Sequence, residues 1–334
     1  MAAGRVRYAK LRQMRRSFLA CLVTAVLAFP GHAAAQSTET LGTRAQGMGG
    51  AFVGMADDAS AVYWNPGGLA GGAYFSLVVD GATAEAAPEG RLAAGNRNAW
   101  LLALSMPALG LSYYRLQSTT VRPTDTGARS RIQSLTTQHL GATFVHTIFG
   151  GIAAGTTLKL VRGVAAAAEV DRGTPEDLLD HADLIGHGSN QFDLDIGVMA
   201  RGAAGAMGVV IRNVTEPGFR TADDTQLRLD MQARLGGSVL LLEKWKLAAD
   251  IDLMTNRGVF ADVRELAIGS EGQVTRQLTA RGGVRFNTIG DAASPALSVG
   301  ASYAVFGAVL VDAQITGGSD NAFRGWGLGG RFMF

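Results

Sequence analysis

The sequence predicts an all-β fold, an antiparallel transmembrane β-barrel of about 14 strands with an N-terminal segment in its lumen. Three observations support this prediction. Apolar and polar residues alternate over long segments, long and short connections alternate along the chain, and no apolar run of ~18 residues follows the first 35 residues. A strand that crosses a bilayer needs ~9 to 11 residues, whereas strands of soluble sheets usually have ~5 to 6.

The alternation identifies the faces of the strands. Apolar residues occupy one face of segments 191–202, 227–242, 245–255 and 274–287, and charged or small residues occupy the other. In a soluble protein so wide an apolar face would need a covering layer, and the sequence does not supply one. The charged residues assigned to the lumen are Asp193, Asp195, Arg201, Arg228, Asp230, Arg234, Asp250, Asp252, Arg281, Arg285, Asp312 and Arg331. They either pair with one another or line a path for a charged substrate.

The alternation of apolar and polar residues defines an even number of strands. A barrel needs an even number when both of its termini lie on one side of the membrane. Connections after the odd-numbered strands are long, with few exceptions, and those after the even-numbered strands are short. The predicted strands are 73–82, 98–106, 110–121, 131–146, 150–164, 191–202, 205–214, 227–242, 245–255, 260–268, 274–287, 295–304, 307–315 and 323–334.

The first 35 residues have the layout of a secretory signal peptide. Six Lys and Arg precede the apolar run 18–29, and small residues follow at Ala33, Ala34 and Ala35. We therefore expect cleavage after residue 35. The remaining chain has 24 Lys and Arg against 28 Asp and Glu, a net charge of −4, which does not indicate a nucleic-acid partner. The single cysteine, Cys21, lies in the predicted leader, so the mature chain has no thiol for a disulfide or a metal site.

The C-terminal segment alternates apolar with small or polar residues and ends on Phe334. It resembles the folding signal of bacterial outer-membrane β-barrels. That resemblance implies localisation in the bacterial outer membrane, contact with outer-membrane lipid and recognition of Phe334 by the barrel-assembly machinery. An ordinary soluble strand that ends on phenylalanine is the alternative.

Residues 42–70 carry the most specific motif, a Gly-rich stretch at 47–50, the run 57–61 (Asp-Asp-Ala-Ser-Ala) and the turn Asn65-Pro66-Gly67. The motif resembles the N-terminal hatch of the FadL-type long-chain fatty acid transporters, of PorV-like outer-membrane proteins and of relatives from conjugation operons. Gly67 departs from the alanine usual in that family. The resemblance implies a hatch over 36–70 and a barrel over 71–334.

The residues of this motif also have a physical interpretation. Asp57 or Asp58 can cap a short helix over 59–64. Proline and glycine after Asn65 end that helix, because proline disfavours helical backbone before it and glycine accepts positive φ. Asp57, Asp58, Asn65, Pro66 and Gly67 are therefore the predicted hatch and gating residues.

No catalytic motif emerges from the sequence, and we expect neither an enzyme nor a cofactor. The chain lacks a Gly-x-Ser-x-Gly elbow and a His-Glu-x-x-His pair. His181, Asp183 and His187 share one predicted loop, but their spacing fits no standard metal site, and solvated loop histidines are commoner. No metal is predicted.

Ligand contact is predicted in the segment 165–190. Thr174 can cap a short amphipathic helix that places Leu178, Leu179, Ala182 and Ile185 on one side, where they either receive a lipid or pack on neighbouring loops. Arg44 is a candidate partner for a carboxylate by its position alone.

The resemblance and the apolar loop segment together favour passive uptake of hydrophobic molecules such as long-chain fatty acids. The alternative is a PorV-like barrel that docks protein partners in secretion or surface attachment. A barrel of purely structural use is the third possibility.

Overall fold

The computed structural model describes residues 41–334 except 87–92, 125–126, 128, 172, 175–177, 180–183, 185, 242–243, 258–261, 290–294 and 319–323. The predicted signal peptide, 1–35, and the start of the predicted hatch, 36–40, lie outside the described residues. Among the residues that are described, no helix is long and apolar enough to cross a membrane.

Fourteen strands of the described chain form a closed antiparallel barrel, which confirms the predicted fold class and strand number. Strand β1 (Ser76–Ala86) pairs with β2 (Ala94–Met106) on one side and with the last strand, β18 (Arg324–Met333), on the other, and this pairing closes the sheet. The barrel strands are β1 Ser76–Ala86, β2 Ala94–Met106, β3 Leu109–Pro123, β4 Arg129–Phe149, β5 Ile152–Asp171, β6 His187–Gly202, β7 Gly205–Arg212, β10 Gln232–Leu241, β11 Trp245–Asp252, β14 Glu265–Gln273, β15 Leu278–Asn287, β16 Ala296–Phe306, β17 Val309–Gly318 and β18 Arg324–Met333.

Two small hairpins lie outside the barrel sheet. Strand β8 (Gly218–Arg220) pairs with β9 (Gln226–Arg228), and β12 (Asn256–Arg257) pairs with β13 (Asp262–Val263). The first hairpin corrects the predicted strand 227–242. Because β9 is itself extended, the two-residue alternation runs through it, although the barrel strand begins only at Gln232. The predicted strand 260–268 is likewise displaced, since β14 spans Glu265–Gln273.

Each barrel strand presents one face to the lumen and one to the outside. On β5, Lys159 is 1% exposed, whereas its neighbours Leu158 and Leu160 are 40% and 53% exposed. The same alternation around the barrel leaves a continuous apolar outer surface. Its exposed members include Leu102, Leu111, Leu140, Phe144, Phe192, Met207, Leu247, Leu297, Ile315 and Leu328.

The two ends of the barrel differ. At one end, which we call the terminal end, β1 begins and β18 ends, and Phe75 and Phe334 exchange backbone hydrogen bonds of 3.0 and 3.1 Å. Connections there are short, and those at the opposite loop end are longer, as predicted. Strands β4 and β5 have 21 and 20 residues, against 9 in β14. They are therefore roughly twice as long as a bilayer requires, and they extend beyond the other strands at the loop end.

The lumen is filled by residues 41–72, which we call the interior segment. It contains two helical turns, Thr43–Gln46 and Ala61–Trp64, and a 3-10 helix, Pro66–Gly71. Almost all of its side chains up to Leu69 are buried. Its backbone approaches strands on opposite sides of the barrel, so it crosses the lumen rather than following one wall. The predicted boundary between residues 70 and 71 falls inside the 3-10 helix and stays a prediction.

Candidate functional site in the barrel lumen

A closed ring of six alternating charges joins the interior segment to the wall. Arg44 contacts Glu271 through Nη2 at 2.7 Å and Asp58 through Nη1 at 2.8 Å. The ring continues through Arg281, Asp312 and Arg331, whose nitrogen–oxygen distances are 2.7 Å (Glu271–Arg281), 3.2 Å (Arg281–Asp312), 2.5 Å (Asp312–Arg331) and 3.3 Å (Arg331–Asp58). Three guanidinium groups balance three carboxylates, so the buried ring carries no net charge.

Asp57 adds a further carboxylate beside this ring. Its Oδ1 lies 2.5 Å from Nη1 of Arg44, and its Oδ2 lies 3.2 Å from Nζ of Lys246. Burial raises the pKa of Asp57, but the positive charges of Arg44 and Lys246 outweigh burial and lower the pKa to about 2. Burial lowers the pKa of Arg44, and the charges of Asp57, Glu271 and Asp58 outweigh it and raise that pKa well above its usual value. Both groups are therefore ionised over the physiological range.

Carboxylates of the wall also hold the backbone of the interior segment. Oδ2 of Asp250 on β11 accepts hydrogen bonds from the backbone N–H groups of Phe52 and Val53 at 2.7 and 2.8 Å. On β1, Asp80 accepts a 2.7 Å bond from the backbone N–H of Thr43 and a second from its hydroxyl. These bonds satisfy buried N–H groups that helices and strands leave without partners. They also fix the segment on two sides of the barrel.

The turn Asn65-Pro66-Gly67 lies against strands β5, β6 and β7. Asn65 has an extended backbone, and its Oδ1 accepts a 3.1 Å bond from the N–H of Gly67. Its Nδ2 donates to the carbonyl oxygens of Val53 and Val198 at 3.2 and 3.1 Å. The side chain thus closes its own turn and attaches it to the wall. The predicted end of the helix at Asn65 is observed, since the helical turn stops at Trp64.

The predicted cap is wrong, since Ser60 is the N-cap residue of that helical turn and no side chain caps it, although Asp58 binds Ser60 just before the turn. Oδ1 of Asp58 accepts bonds from the N–H and the hydroxyl of Ser60 at 2.9 and 2.5 Å, and the carbonyl of Asp58 accepts from Ala61. The turn spans only Ala61–Trp64, shorter than the predicted 59–64.

Lumen-facing glycines of the wall allow the interior segment to approach the sheet closely. A Cβ at Gly155 of β5 would lie 2.5 Å from the carbonyl carbon of Pro66, a distance that real Cβ atoms do not show. Gly197 on β6, paired with Gly155 in register, meets Asn65 and Pro66 in the same way. Similar positions occur all around the barrel, and together they form a glycine belt at Gly110, Gly155, Gly197, Gly208, Gly236, Gly269, Gly283 and Gly300.

Three rings of the interior segment and two rings of the wall form what we call the aromatic cluster. Tyr63 makes edge-to-face contacts with Trp64 and Tyr114 at centroid distances of 5.6 and 5.8 Å, and Phe52 contacts Trp64 at 6.0 Å. His139 stacks on Tyr114 at 4.3 Å. The guanidinium carbon of Arg212 lies 4.3 Å from the Tyr63 ring centroid, a favourable cation–π distance.

Strands β1 and β18 carry small lumen-facing side chains toward the loop end. Ala84 on β1 pairs with Gly325 of β18, and Gly325 pairs with Thr316 of β17. The neighbouring row contains Ala82 and Gly327. A Cβ at Gly325 would have only Thr83 and Ala84 as its nearest neighbours, whereas one at Gly327 would meet Thr43. This small-residue wall therefore begins where the interior segment stops and continues toward the loop end.

A buried polar group lies on the opposite side of the lumen. Nζ of Lys159 on β5 lies 2.7 Å from both Asp193 and Asp195 of β6, and 3.1 Å from Oδ1 of Asn213. Most of the charged residues predicted to face the lumen are buried there and paired, so the pairing hypothesis is supported. Arg228 is an exception because it lies on the β8–β9 hairpin.

Comparison with known proteins shows which of them resemble this chain in sequence or in fold. No curated protein sequence matches the chain. A family model described as "F plasmid transfer operon, TraF, protein" matches residues 97–252. Among solved structures, the CymD monoaromatic hydrocarbon channel superposes with a TM-score of 0.64 at 14% identity, covering 88% of this chain and 97% of that one.

A FadL homologue of Pseudomonas aeruginosa superposes with a TM-score of 0.62 at 12% identity, covering 90% of this chain and 100% of the homologue. The chain has the FadL-type barrel fold. The toluene transporter TbuX of Ralstonia pickettii shares it, with a TM-score of 0.59, 12% identity and coverage of 89% and 99%. The resemblance inferred from residues 42–70 is thus confirmed at the level of the fold.

Within the FadL-type barrel, the predicted ligand residues lie in two separate places. Arg44 is buried among Glu271, Asp57 and Asp58, so its charge is already balanced within the chain. Leu178 and Leu179 are partly buried in the long connection after β5, and Ala182 and Ile185 lie outside the described residues. The structure does not bring Arg44 together with the leucines, and ligand binding by these residues stays a prediction.

The predicted histidine loop is described only in part, because His181 and Asp183 lie outside the described residues. Among those described, no group of three or more His, Cys, Asp or Glu side chains is arranged to hold a metal ion. In the described part of the lumen, the buried carboxylates contact arginine, lysine or backbone N–H groups.

Sequence reasoning missed the glycine belt. Its members occupy lumen-facing positions inside predicted strands, where glycine weakens a strand unless another backbone approaches closely. The sequence does contain this signal. Gly155, Gly197 and Gly283 are each an even number of positions from the charged residues of their strands, so they face the same side as those residues.

Proposed function

We propose that the protein is an outer-membrane channel for the passive uptake of hydrophobic molecules, including long-chain fatty acids. One observation carries the proposal: the small-residue wall lines one sector of the lumen beyond the interior segment with alanine, glycine and threonine. A ligand path must be apolar and needs few polar groups. The fold agrees, since solved proteins that share it are described as a monoaromatic hydrocarbon channel and a toluene transporter.

Two arginines flank the small-residue wall. Arg97 pairs in register with Ala84, and Arg285 pairs with Ala296. Both interact electrostatically with Glu265 of β14, the strand that pairs with the strand of Arg285. A fatty acid carboxylate at the edge of the wall would therefore meet guanidinium groups while its tail lies along alanine and glycine.

The outer surface supports a location in the outer membrane. Exposed aliphatic side chains surround the barrel, and aromatic side chains are exposed near its terminal end, where interfacial rings of bacterial barrels occur. Tyr74, Phe149, Phe306 and Phe334 are 73%, 47%, 78% and 62% exposed. Recognition of Phe334 by the assembly machinery belongs to the same proposal.

The test is uptake of oleate and of toluene into proteoliposomes that contain the purified protein. Ala84→Phe would fill the small-residue wall, and Thr83→Phe places the same ring on the lipid-facing side of the same strand as a matched control. We expect uptake to fall to the level of empty liposomes with Ala84→Phe and to persist with Thr83→Phe. Equal uptake by both variants would contradict a path along this wall.

Protein docking is the second candidate function. It is favoured by the extra length of β4 and β5, which present a ladder beyond the bilayer from Arg129–Asp171 to Thr137–Gly163, and by the match to a conjugation-operon family. Cross-linking in cells with a photoreactive residue at Arg129 tests it. Docking would be favoured by a cross-linked product of one constant mass. The control places the photoreactive residue at Lys246, at the terminal end, where this product should be absent.

A further inference from the structure

A row of polar side chains interrupts the apolar outer surface on strands β3 to β5. Arg115 on β3 faces outward, because its neighbour Tyr114 is 2% exposed and lies in the lumen. Arg162 on β5 faces outward for the same reason, since Val161 beside it is 0% exposed in the lumen. Between them, Gln138 of β4 pairs in register with both arginines. Two guanidinium groups and one amide thus share an outward row, which we call the arginine row.

Further polar residues border the arginine row, and none of them is acidic. Asn190 of β6 pairs with Arg162. Gln117 of β3 pairs with Asn98 of β2, one outward position nearer the loop end. Within the described parts of strands β2 to β6, no aspartate or glutamate occupies an outward position. This sector of the outer wall therefore carries positive charge with no negative charge beside it.

The two arginines of the row lack the partners that arginines inside the barrel have. Arg281 in the lumen contacts both Glu271 and Asp312. In the described part of the chain, by contrast, no carboxylate forms an ion pair with Arg115 or Arg162, and Nε of Arg115 is shielded from solvent without a hydrogen-bond acceptor. A cation on the outer wall of a membrane barrel is costly unless an anion meets it. The arginine row is therefore suited to an external negative group.

The arginine row lies where the apolar band of the barrel ends. Arg162 is ten residues beyond Ile152, the first residue of β5 at the terminal end. That separation is about 33 Å along the strand and about 25 Å across the membrane at a strand tilt of about 40°, and the apolar bands of such barrels are about 25 Å tall. Arg115 is six residues beyond Leu109, so it begins inside the band and its side chain can extend to the border. Both charges thus reach the level of lipid headgroups at the loop end.

Next to the arginine row, on its terminal-end side, the outer wall is apolar. Leu140 pairs in register with Leu160 and with Tyr113, and the two leucines are 59% and 53% exposed. Trp100 pairs with Arg115, and its ring centroid lies 5.0 Å from that of Tyr113. A cationic row beside exposed hydrocarbon matches a molecule that has an anionic headgroup and acyl chains.

Phosphate is the anion that fits the groups of the arginine row. A guanidinium offers a planar pair of donors that matches two phosphate oxygens, and an amide adds donors between the two arginines. Strands β3 and β5 are two strand spacings apart, about 10 Å, which two long arginine side chains can span. A second copy of this chain is a poor occupant, since a two-fold contact would place one arginine row against another.

We infer that the arginine row binds the phosphate headgroup of a lipid in the leaflet at the loop end, and that the acyl chains of this lipid lie along Leu140, Leu160 and Tyr113. The inference rests on the membrane location in the proposed function. It does not rest on uptake, because the row lies on the outer wall and not in the lumen. The lipid is therefore a bound component of the wall and not a transported molecule.

The test is native mass spectrometry of the purified protein in detergent, titrated with lipid A, a glycolipid with two phosphates. We expect the wild type to bind one molecule saturably. Arg115→Gln combined with Arg162→Gln should weaken this binding about tenfold or more, because two charge-assisted contacts are lost. The matched control, Arg220→Gln with Arg276→Gln, removes the same charge from exposed positions elsewhere and should bind as the wild type does.

A second measurement changes the lipid and keeps the wild-type protein, so it does not depend on the folding of a variant. Lipid A without its phosphates keeps the acyl chains, and we expect it to bind about tenfold or more weakly. Inorganic phosphate has no acyl chains and should not displace lipid A at equal concentration.

Several results would overturn the inference. These are equal binding of the dephosphorylated lipid, equal loss of binding in the double variant and its control, and displacement of lipid A by inorganic phosphate at equal concentration. A wild-type dimer that the double variant loses would also overturn it, because the arginine row would then be an interface between copies.

The uptake assay separates this inference from the proposed function. Phosphate-dependent binding of lipid A without uptake of oleate or toluene by the wild type would support the inference and contradict the channel. Uptake that depends on Ala84, without binding of lipid A, would support the channel and overturn the inference.

Discussion

At the scale of single residues, Arg44 shows how charge is accommodated inside the barrel. Its guanidinium meets Glu271 through two hydrogen bonds of 2.7 and 2.8 Å and also contacts Asp57 and Asp58. A planar group with five donors can satisfy several acceptors at once, which lysine cannot do. Arg44 therefore stabilises the fold by neutralising these buried carboxylates.

Replacing Arg44 with methionine should be costly because Glu271, Asp57 and Asp58 each lose one of their two cationic partners. We expect Arg44→Met to lower the free energy of unfolding by about 3 to 5 kcal/mol, the range for breaking a buried ion pair on one side. Arg162→Met is the control, since Arg162 is exposed on β5. Urea unfolding followed by tryptophan fluorescence measures both, and equal stability of the two variants would contradict the role of the charge ring.

Asp57 gives a pH-dependent prediction. Its pKa in the folded state is about 2, below its ordinary value of 3.8, so its ionised form stabilises the fold. This contribution is present above about pH 4 and is lost as the pH falls toward 2, because the proton then binds the unfolded chain more readily. Between these pH values the wild type should lose up to about 2 kcal/mol more than Asp57→Asn. If the wild type and Asp57→Asn lose the same stability as the pH falls, the pairing of Asp57 with Arg44 and Lys246 is contradicted.

At the scale of elements, the interior segment and the wall are shaped for each other. Gly49 and Gly50 have φ values of 67° and 87°, which glycine adopts without strain, and the segment turns there beside Gly283 of β15. Hydrogen bonds to Asp80, Asp250, Ser238 and Arg201 then hold its backbone at separate points around the barrel. These contacts make the segment a fixed part of the fold.

Adding one methyl group to the glycine belt should disturb this fit. We expect Gly155→Ala to destabilise the protein by about 1 to 3 kcal/mol, because the new Cβ collides with the backbone at Pro66 and Gly67. Gly81→Ala on β1 makes the same chemical change in open space and should leave stability unchanged. Thermal unfolding in one detergent compares them. If both variants unfold at the same temperature, the close approach of Pro66 and Gly67 to Gly155 does not contribute to stability.

At the scale of the whole molecule, the barrel has two unlike ends. The terminal end has short connections and the buried charge ring, and the loop end has the extended β4 and β5 and the hairpin that carries Phe219. A fold of this kind inserts with its short connections toward the periplasm. Under the proposed function, ligand entry is therefore expected from the loop end.

Cysteine labelling in cells tests this orientation. Ala222 lies at the hairpin tip and Ala203 in a short connection at the terminal end, and both are exposed. The only natural cysteine, Cys21, falls in the predicted leader, so each single variant carries one thiol after cleavage. A membrane-impermeant maleimide should label Ala222→Cys on intact cells and Ala203→Cys only after lysis. The reverse pattern would mean the opposite insertion.

The sequence was sufficient for the local features of the fold. Alternation with a period of two shows which side chains share a face of a strand, and Asp193, Asp195 and Asp250 were placed in the lumen on that basis. Strand ends were less accurate, because β9 continues the alternation of β10 although it belongs to another sheet. The motif at 42–70 indicated the fold through its resemblance to a family.

Contacts between distant residues could not be derived in this way. The charge ring joins Arg44 to Glu271 and Asp58 to Arg331, and nothing local to any of these residues specifies its partner. The packing of Phe219 likewise depends on Gly163, 56 positions earlier, and on the register of β5.

By itself, then, the sequence determined the closed antiparallel barrel, its apolar exterior and its charged interior, because strand periodicity is a property of neighbouring residues. Only the tertiary structure decided which charges meet, where the interior segment touches the wall and where the Phe219 ring packs. Those outcomes depend on barrel closure and strand register, which bring side chains from opposite walls to within a few ångströms of one another.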